Sequence, residues 1–158
     1  MRVGLGYDLH ALVAGRPLVL GGVEIAHEVG LMGHSDADVL SHAVIDALLG
    51  AAALGTIGEH FPDTDERYEG ISSLELVAIT ASMVEEAGYG IVNIDSVLVA
   101  QTPRLQPHLA AMAMNLADRL GIDPQSVGVK ATSPEAVGAL GRREGIAAQA
   151  VVLLDSLK

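Results

Sequence analysis

Val3-Gly4-Leu5-Gly6-Tyr7-Asp8-Leu9-His10 is the stretch on which the fold turns. Its odd positions, Val3, Leu5, Tyr7 and Leu9, are apolar, while Gly4, Gly6, Asp8 and His10 alternate with them, a period of two that predicts a half-buried strand. Successive side chains of a strand point to opposite faces, so Asp8 and His10 share one face and have only glycines as neighbours on it. That face is open to another element, and ligands from elsewhere in the chain can converge there. Taken alone, Asp-x-His also describes a solvent-facing edge strand.

Working outward, residues 18–20 and 23–25 flank Gly21-Gly22, a two-residue connection that closes a hairpin. Ser35 with Asp38 three residues later is a capping signal, and Val39, Leu40, Ala43, Val44, Ala47 and Leu48 then repeat at helical spacing, predicting a helix that ends near Gly50. Ser72-x-x-Glu75 repeats the signal ahead of Leu74, Val77, Ala81 and Val84, with Gly88 placed to stop that helix. Residues 91–101 alternate and are β-rich; Pro107 opens a helix with an apolar stripe at Leu109, Met112, Leu116 and Leu120, closed by Gly121. Strands are predicted at 127–131 and 146–154, and between them Ser133-Pro134-Glu135 has the cap, first-turn proline and early carboxylate of a short helix. The predicted fold class is α/β, a mixed α+β sandwich forming one domain over residues 1–158.

Twenty acidic against nine basic residues give a net charge of -11, which repels a phosphate backbone and excludes nucleic acid as a partner. No apolar run approaches the ~18 residues of a membrane span. An anionic substrate would need local neutralisation, and with so few Lys and Arg a bound cation is the economical source. Without cysteine, its ligands must be His, Asp or Glu. Half the residues are apolar and the mean hydropathy is +0.41, which predicts extensive subunit contact, with Gly4, Gly6 and the alanine-rich last strand letting neighbouring copies approach closely. The opening Met1-Arg2-Val3 has no apolar signal segment, so the expected location is cytoplasmic, or plastid if an organellar leader has been removed.

Polar chemistry gathers again at His34-Ser35-Asp36-Ala37-Asp38, followed by His42 and Asp46. The spacing of four stacks Asp38, His42 and Asp46 on one helical face. Solvated stripes normally carry Lys, Glu or Gln, whereas this one carries only metal-capable or base-capable groups. With Asp8 and His10, His42 would complete a three-ligand site, and zinc held by three protein ligands keeps a fourth position for a substrate oxygen. Asp46, one turn beyond His42, is positioned to orient an imidazole. The third cluster is Lys130-Ala131-Thr132-Ser133-Pro134-Glu135, where a strand hands over to a helix N-terminus able to bind phosphate. A carboxylate there compensates the helix dipole or, beside a phosphate, holds a divalent ion. His27, His60 and His108 receive no role.

Gly6-Tyr7-Asp8-Leu9-His10 and His34 through Asp38 are the first two of seven motifs in order. The others are residues 42–55, which include His42-Ala43 and Asp46-Ala47-Leu48-Leu49-Gly50, then Phe61-Pro62-Asp63-Thr64-Asp65, Ala100-Gln101-Thr102-Pro103, Val129-Lys130-Ala131-Thr132 and the run 141–147. Over essentially its whole length the chain resembles the 2-C-methyl-D-erythritol 2,4-cyclodiphosphate synthase family. The resemblance implies a phosphorus-oxygen lyase of the nonmevalonate isoprenoid pathway, which converts 4-diphosphocytidyl-2-C-methyl-D-erythritol 2-phosphate into the cyclic diphosphate and releases CMP. It further implies a mixed sheet with helices packed on one face, assembled as a homotrimer around a three-fold axis with active sites between subunits. Asp8, His10 and His42 carry over as zinc ligands, and Glu135 as a ligand of magnesium or manganese on the diphosphate. His34, Thr132 and Ser133 carry over as catalytic residues. Ser35, Phe61 and Asp63 meet the methylerythritol phosphate, Gly58 the ribose, and Ala100, Arg104, Leu105, Ala131, Thr132 and Ser133 the cytidine diphosphate; Arg142 is a further substrate contact. An isoprenoid diphosphate is expected in the cavity on the trimer axis. Arg104 stands where lysine is more usual, Thr56 where many members carry an aspartate that meets the ribose, and Ala139 where a bulky aromatic is common near the axis.

Two other classes carry similar motifs. A protein that binds a metal and a nucleotide or isoprenoid diphosphate without turnover has no need of an open metal position beside a second cation, and a zinc phosphohydrolase would release open-chain phosphate. The product separates all three.

Overall fold

The computed structural model describes residues 1–157. Strand β1 (Arg2–Ala14) is followed by β2 (Leu18–Leu20), β3 (Val23–Ile25) and β4 (Val29–Leu31). Then come helices α1 (Val39–Ala52), α2 (Ile57–His60) and α3 (Ser73–Glu86), strand β5 (Tyr89–Val99), helix α4 (Leu109–Leu120), strand β6 (Val127–Thr132), helix α5 (Gly138–Gly141) and strand β7 (Gly145–Ser156). Five strands form a mixed sheet in the order β4-β1-β7-β5-β6, antiparallel except for the parallel pair β5 and β6. The expected hairpin of β2 and β3 turns at Gly21 and Gly22, both with positive φ, as a two-residue turn of that hand requires. Among the described residues no helix is long and apolar enough to cross a membrane.

Helix α1 lies across β1 and β7, α4 packs against β6, and α3 packs on both helices, so these three cover one face of the sheet. The contact with β1 decides which face of that half-buried strand is covered. Gly4 and Gly6 form the covered face: a Cβ on either would lie 1.9 Å from a carbonyl of α1, Ala47 O for Gly4 and Ala43 O for Gly6. The glycines therefore seat a helix of their own chain, where the sequence suggested approach between copies. The apolar residues Val3, Leu5, Tyr7 and Leu9 lie on the other face and remain half or more exposed. The same alternation continues in β7, where Ile146, Ala148, Ala150 and Val152 are buried while Gln149 and Val151 are exposed.

Helix boundaries moved for identifiable reasons. The N-cap of α1 is Asp38, not Ser35: its carboxylate accepts bonds from Ser41 N (3.2 Å), Ser41 Oγ (2.7 Å), Gly21 N (2.9 Å) and Gly22 N (2.8 Å). Burial pushes the Asp38 carboxyl up, against the pull of these donors. Asp38 thus fastens the hairpin turn to the start of α1 and does not belong to a polar stripe. At its other end α1 passes Gly50 and stops at Ala53 in the left-handed conformation. No helix begins at Pro134. Ser133 Oγ accepts Glu135 N at 3.0 Å, Glu135 and Ala136 have positive φ, and the four-residue α5 starts only at Gly138.

Candidate metal centre and flanking clefts

Gly4 and Gly6 bring the backbone of α1 close to β1, and one turn along that contact the glycines give way to Asp8 and His10, opposite His42 on the helix. Asp8 Oδ2 lies 2.9 Å from His10 Nε2 and 3.0 Å from His42 Nδ1, and the two nitrogens are 3.2 Å apart. A tetrahedral zinc with ligands at ~2.0–2.1 Å separates them by about 3.3 Å, so this triangle has the dimensions of one face of such a site. Asp8, His10 and His42 form the sole cluster of metal-capable side chains of this kind among the described residues.

The outward nitrogens of both rings have partners. His10 Nδ1 is 2.5 Å from Met32 O, which can only accept, so Nδ1 carries the proton and Nε2 presents a lone pair inward. His42 Nε2 meets Ser73 Oγ at 2.9 Å and Ser35 Oγ at 3.2 Å. Burial works against charge at Asp8, but hydrogen bonds and charge interactions with both histidines outweigh it and hold the carboxyl well below the usual carboxylate range. Burial likewise disfavours the His10 imidazolium, and the Asp8 carboxylate with the Met32 carbonyl overcomes this and raises His10. Without a metal, one proton shared across the triangle relieves the convergence of three acceptors; a divalent ion relieves it more completely.

The triad opens into a cavity of about 420 Å³ lined also by His34, Ser35, Asp46, Gly58, Phe61 and Asp63. Arg16 holds its rim, donating to Gly33 O (2.8 Å) and Ser35 O (2.6 Å) on the loop that carries His34. Asp46 does not orient an imidazole: its carboxylate accepts Ile57 N at 2.8 Å and fixes the start of α2, which carries Gly58. A second cleft, about 400 Å³, lies at the ends of β5 and β6, where Ala100, Arg104, Leu105, Ala131, Thr132 and Ser133 are among its lining residues. The two clefts share no residue. Glu135 and Arg142 line neither; both are exposed, and Arg142 Nε donates to Glu144 Oε1 at 2.6 Å. The sequence reading missed Met32 O, Ser73 and the bonding of Asp36, since a backbone acceptor and a serine at a helix start carry no signature of a metal site.

A one-sided α+β layer that presents two histidines and a carboxylate to a cavity, with room for a further ligand, has the donor set of a candidate metal centre of the open, catalytic type. A profile described as the YgbB family matches residues 1–155, and the chain belongs to that family. It is 58% identical over 154 residues to the 2-C-methyl-D-erythritol 2,4-cyclodiphosphate synthase of Desulfitobacterium hafniense, covering 98% of each chain. Among solved structures it is similar to the bifunctional IspDF of Campylobacter jejuni, with a TM-score of 0.95 and 43% identity over 99% of this chain, which corresponds to 42% of that longer one. It is also similar to a CDP complex of IspF from Plasmodium falciparum, with a TM-score of 0.87 and 29% identity over 99% of this chain and 97% of that one.

Proposed function

We propose that this chain converts 4-diphosphocytidyl-2-C-methyl-D-erythritol 2-phosphate into 2-C-methyl-D-erythritol 2,4-cyclodiphosphate and CMP. The observation that carries the reading is the triangle of Asp8, His10 and His42 at the floor of a cavity, in a chain 58% identical to a synthase of that name. An oxygen of the substrate's 2-phosphate attacks the β-phosphorus, and the bond from that phosphorus to the oxygen bridging it to the α-phosphorus breaks. CMP carries away the bridging oxygen, and no water is consumed.

Zinc on Asp8, His10 and His42, with magnesium or manganese on Glu135 and the diphosphate, would supply Lewis-acid stabilisation of the charge that grows on the phosphate oxygens. The chain's own residues supply position, which for phosphoryl transfer between groups of one molecule is the larger part of the task. His34, Ser35, Phe61 and Asp63 hold the methylerythritol phosphate and exclude water from it, and Gly58 meets the ribose. Support comes from their shared cavity with the triad. Ala100, Arg104, Leu105 and Ala131 surround the cytidine while Thr132 and Ser133 bind the diphosphate, supported by their common cleft and by the CDP complex of the Plasmodium falciparum relative. Arg142 is a further contact to substrate.

The functional unit in this reading is a homotrimer. Its support is the uncovered apolar face of β1 and the division of the substrate-binding residues between two clefts, which a neighbouring copy would bring together. An isoprenoid diphosphate would enter at the three-fold axis, near Ala139, which with Leu9, Val137 and Leu140 lines an apolar cavity of about 560 Å³. The reaction belongs to the cytoplasm, or to the plastid in an organism that has one. Phosphorus NMR of the protein with substrate and both cations tests the reaction: cyclic diphosphate with CMP is expected, and open-chain phosphate or unchanged substrate would refute it.

A further inference from the structure

We propose that Asp36 and Ser73 are positioning residues for the metal centre, dictating which nitrogen of His42 faces the metal. The proposal rests on the metal reading given above. Ser73 is the first residue of α3 and is fully buried. Its hydroxyl has one hydrogen to give and three candidate partners, Asp36 Oδ1 at 2.5 Å, His42 Nε2 at 2.9 Å and, at the greater distance of 3.4 Å, Ser35 Oγ. Asp36 settles the choice. Its carboxylate accepts Ser73 N at 3.0 Å and Asp38 N at 3.2 Å, and an ionised carboxylate can only accept. The Ser73 hydrogen therefore points to Asp36, its oxygen turns a lone pair to His42, and His42 Nε2, for which Ser73 Oγ at 2.9 Å is a closer partner than Ser35 Oγ at 3.2 Å, is assigned the proton. Nδ1 is left with its lone pair aimed at Asp8 Oδ2 and His10 Nε2.

The arrangement links three elements. Asp36 sits on the loop before α1, donating its own N–H to Ile71 O at 3.1 Å, and through Ser73 it ties the N-terminus of α3 to a ligand on α1. Ser72, the N-cap of α3, makes no capping bond with its side chain, so Asp36 also serves the first N–H of that helix. Ser35 Oγ, 3.2 Å from His42 Nε2, accepts Ala37 N at 3.2 Å and is the weaker partner of the ring. The other ligand imidazole needs no such relay, because Met32 O fixes His10 directly. Substituting an amide for the Asp36 carboxylate would let the amide N–H donate to Ser73, turn the serine hydrogen toward His42 and favour the wrong tautomer.

The test is zinc affinity, measured by competition with a chelator, for the wild type, Ser73→Ala, Asp36→Asn and the double variant. Loss of such a partner typically weakens metal binding by about 10–100-fold, and each single variant should fall in that range. The double variant should bind no more weakly than the weaker single one, because both substitutions break the same relay. In nitrogen-15 spectra of the zinc-loaded protein, a slowly exchanging Nε2–H of His42 should be present in the wild type and lost in Ser73→Ala. Singles within about twofold of wild type, or losses that multiply in the double variant, would overturn the relay while leaving the metal centre intact. A wild-type chain that binds no zinc would overturn both. If Ser73→Ala does not fold, the near-isosteric Asp36→Asn decides alone, and wild-type affinity in it refutes the proposal.

Discussion

Gly6→Ala tests whether close approach of strand and helix builds the metal centre. The added methyl would lie 1.9 Å from Ala43 O and 2.7 Å from Ala47 N, both backbone atoms of α1 that no rotamer change can move. An ordinary carbon–oxygen contact needs about 3.2 Å, so the helix must lift by roughly 1.3 Å or the strand must bend away. Overpacking of this kind costs about 3 kcal/mol, the upper end of the usual range, since the clash is with backbone. At about 2–4 °C per kcal/mol for a chain of this size, the midpoint should fall by roughly 6–12 °C. His42 is the residue before Ala43, so the displacement passes directly to a ligand whose distances from Asp8 and His10 tolerate only about 0.2 Å. Zinc affinity should fall with stability. Gly50→Ala is the control on the same helix: nothing lies within 4 Å of its added Cβ, and alanine in a helix should stabilise by about 0.5–1 kcal/mol without touching zinc binding. Both are read by thermal unfolding at fixed protein concentration and by chelator competition. A Gly6→Ala variant with wild-type midpoint and wild-type zinc affinity would refute the reasoning.

Glu135→Gln should retain zinc and fold while turnover and its dependence on added magnesium collapse; wild-type turnover with the same magnesium titration would reduce Glu135 to a turn residue. Metal uptake should release a proton at acidic pH and less at alkaline pH. In the metal-free protein His10 is raised above its ordinary value near 6.5 and Asp8 is lowered. Their pair stabilises the metal-free fold above about pH 4, a contribution lost as pH rises through the folded pKa of His10 or falls through that of Asp8. Zinc needs neutral His10, so affinity rises over the range where that pair is lost, and calorimetry at pH 5.5 and 8 in buffers of different ionisation heat counts the protons; equal release at both would contradict it. Light scattering should give a trimer. Mixing inactive His42→Ala subunits, which should hold no zinc, with subunits disrupted at residues 131–133 should restore some activity, and a fully active monomer would remove the shared site.

The candidate metal centre was legible because two spacings, each ambiguous alone, agree on the same chemistry. Asp8 and His10 must share a strand face, and His42 lies at helical spacing among residues that are otherwise apolar, so only the approach of two elements had to be supplied. The burial of β1 was not legible. Glycines at 4 and 6 leave their face open to another element, but nothing local reveals that this element is α1 of the same chain and that the apolar face is the one left uncovered. Asp38 and Asp46 were misread for a related cause: aspartates four residues from a histidine suit a polar stripe, but their actual partners, Gly21, Gly22 and Ile57, are backbone donors distant in sequence. At Ser133-Pro134-Glu135 the capping signal was real in composition yet was spent on a turn, since Ser133 Oγ bonds Glu135 N while the backbone at Glu135 and Ala136 goes left-handed.

Electrostatics ties the acidic composition to the chemistry. The cavity beside the triad is lined by Asp8, Asp46 and Asp63 and by no Lys or Arg. Elsewhere Arg67 is paired with Asp65, Lys130 with Asp95 and Arg142 with Glu144, while Arg16 is bound to two carbonyls. A phosphate charge about 4 Å from one of these aspartates is opposed by roughly 4 kcal/mol at an effective dielectric of 20, nearly a thousandfold in affinity, and the substrate brings several such charges. Arg104, the one basic residue lining the other cleft, cannot offset this. A divalent ion on Asp8, His10 and His42 would cancel the Asp8 carboxylate with one positive charge to spare, and so would offset most of the repulsion in the cavity. The same aspartates that would repel a bare anion would then favour binding to the metal-loaded state, so substrate and metal binding should be coupled by the charge of the cavity itself.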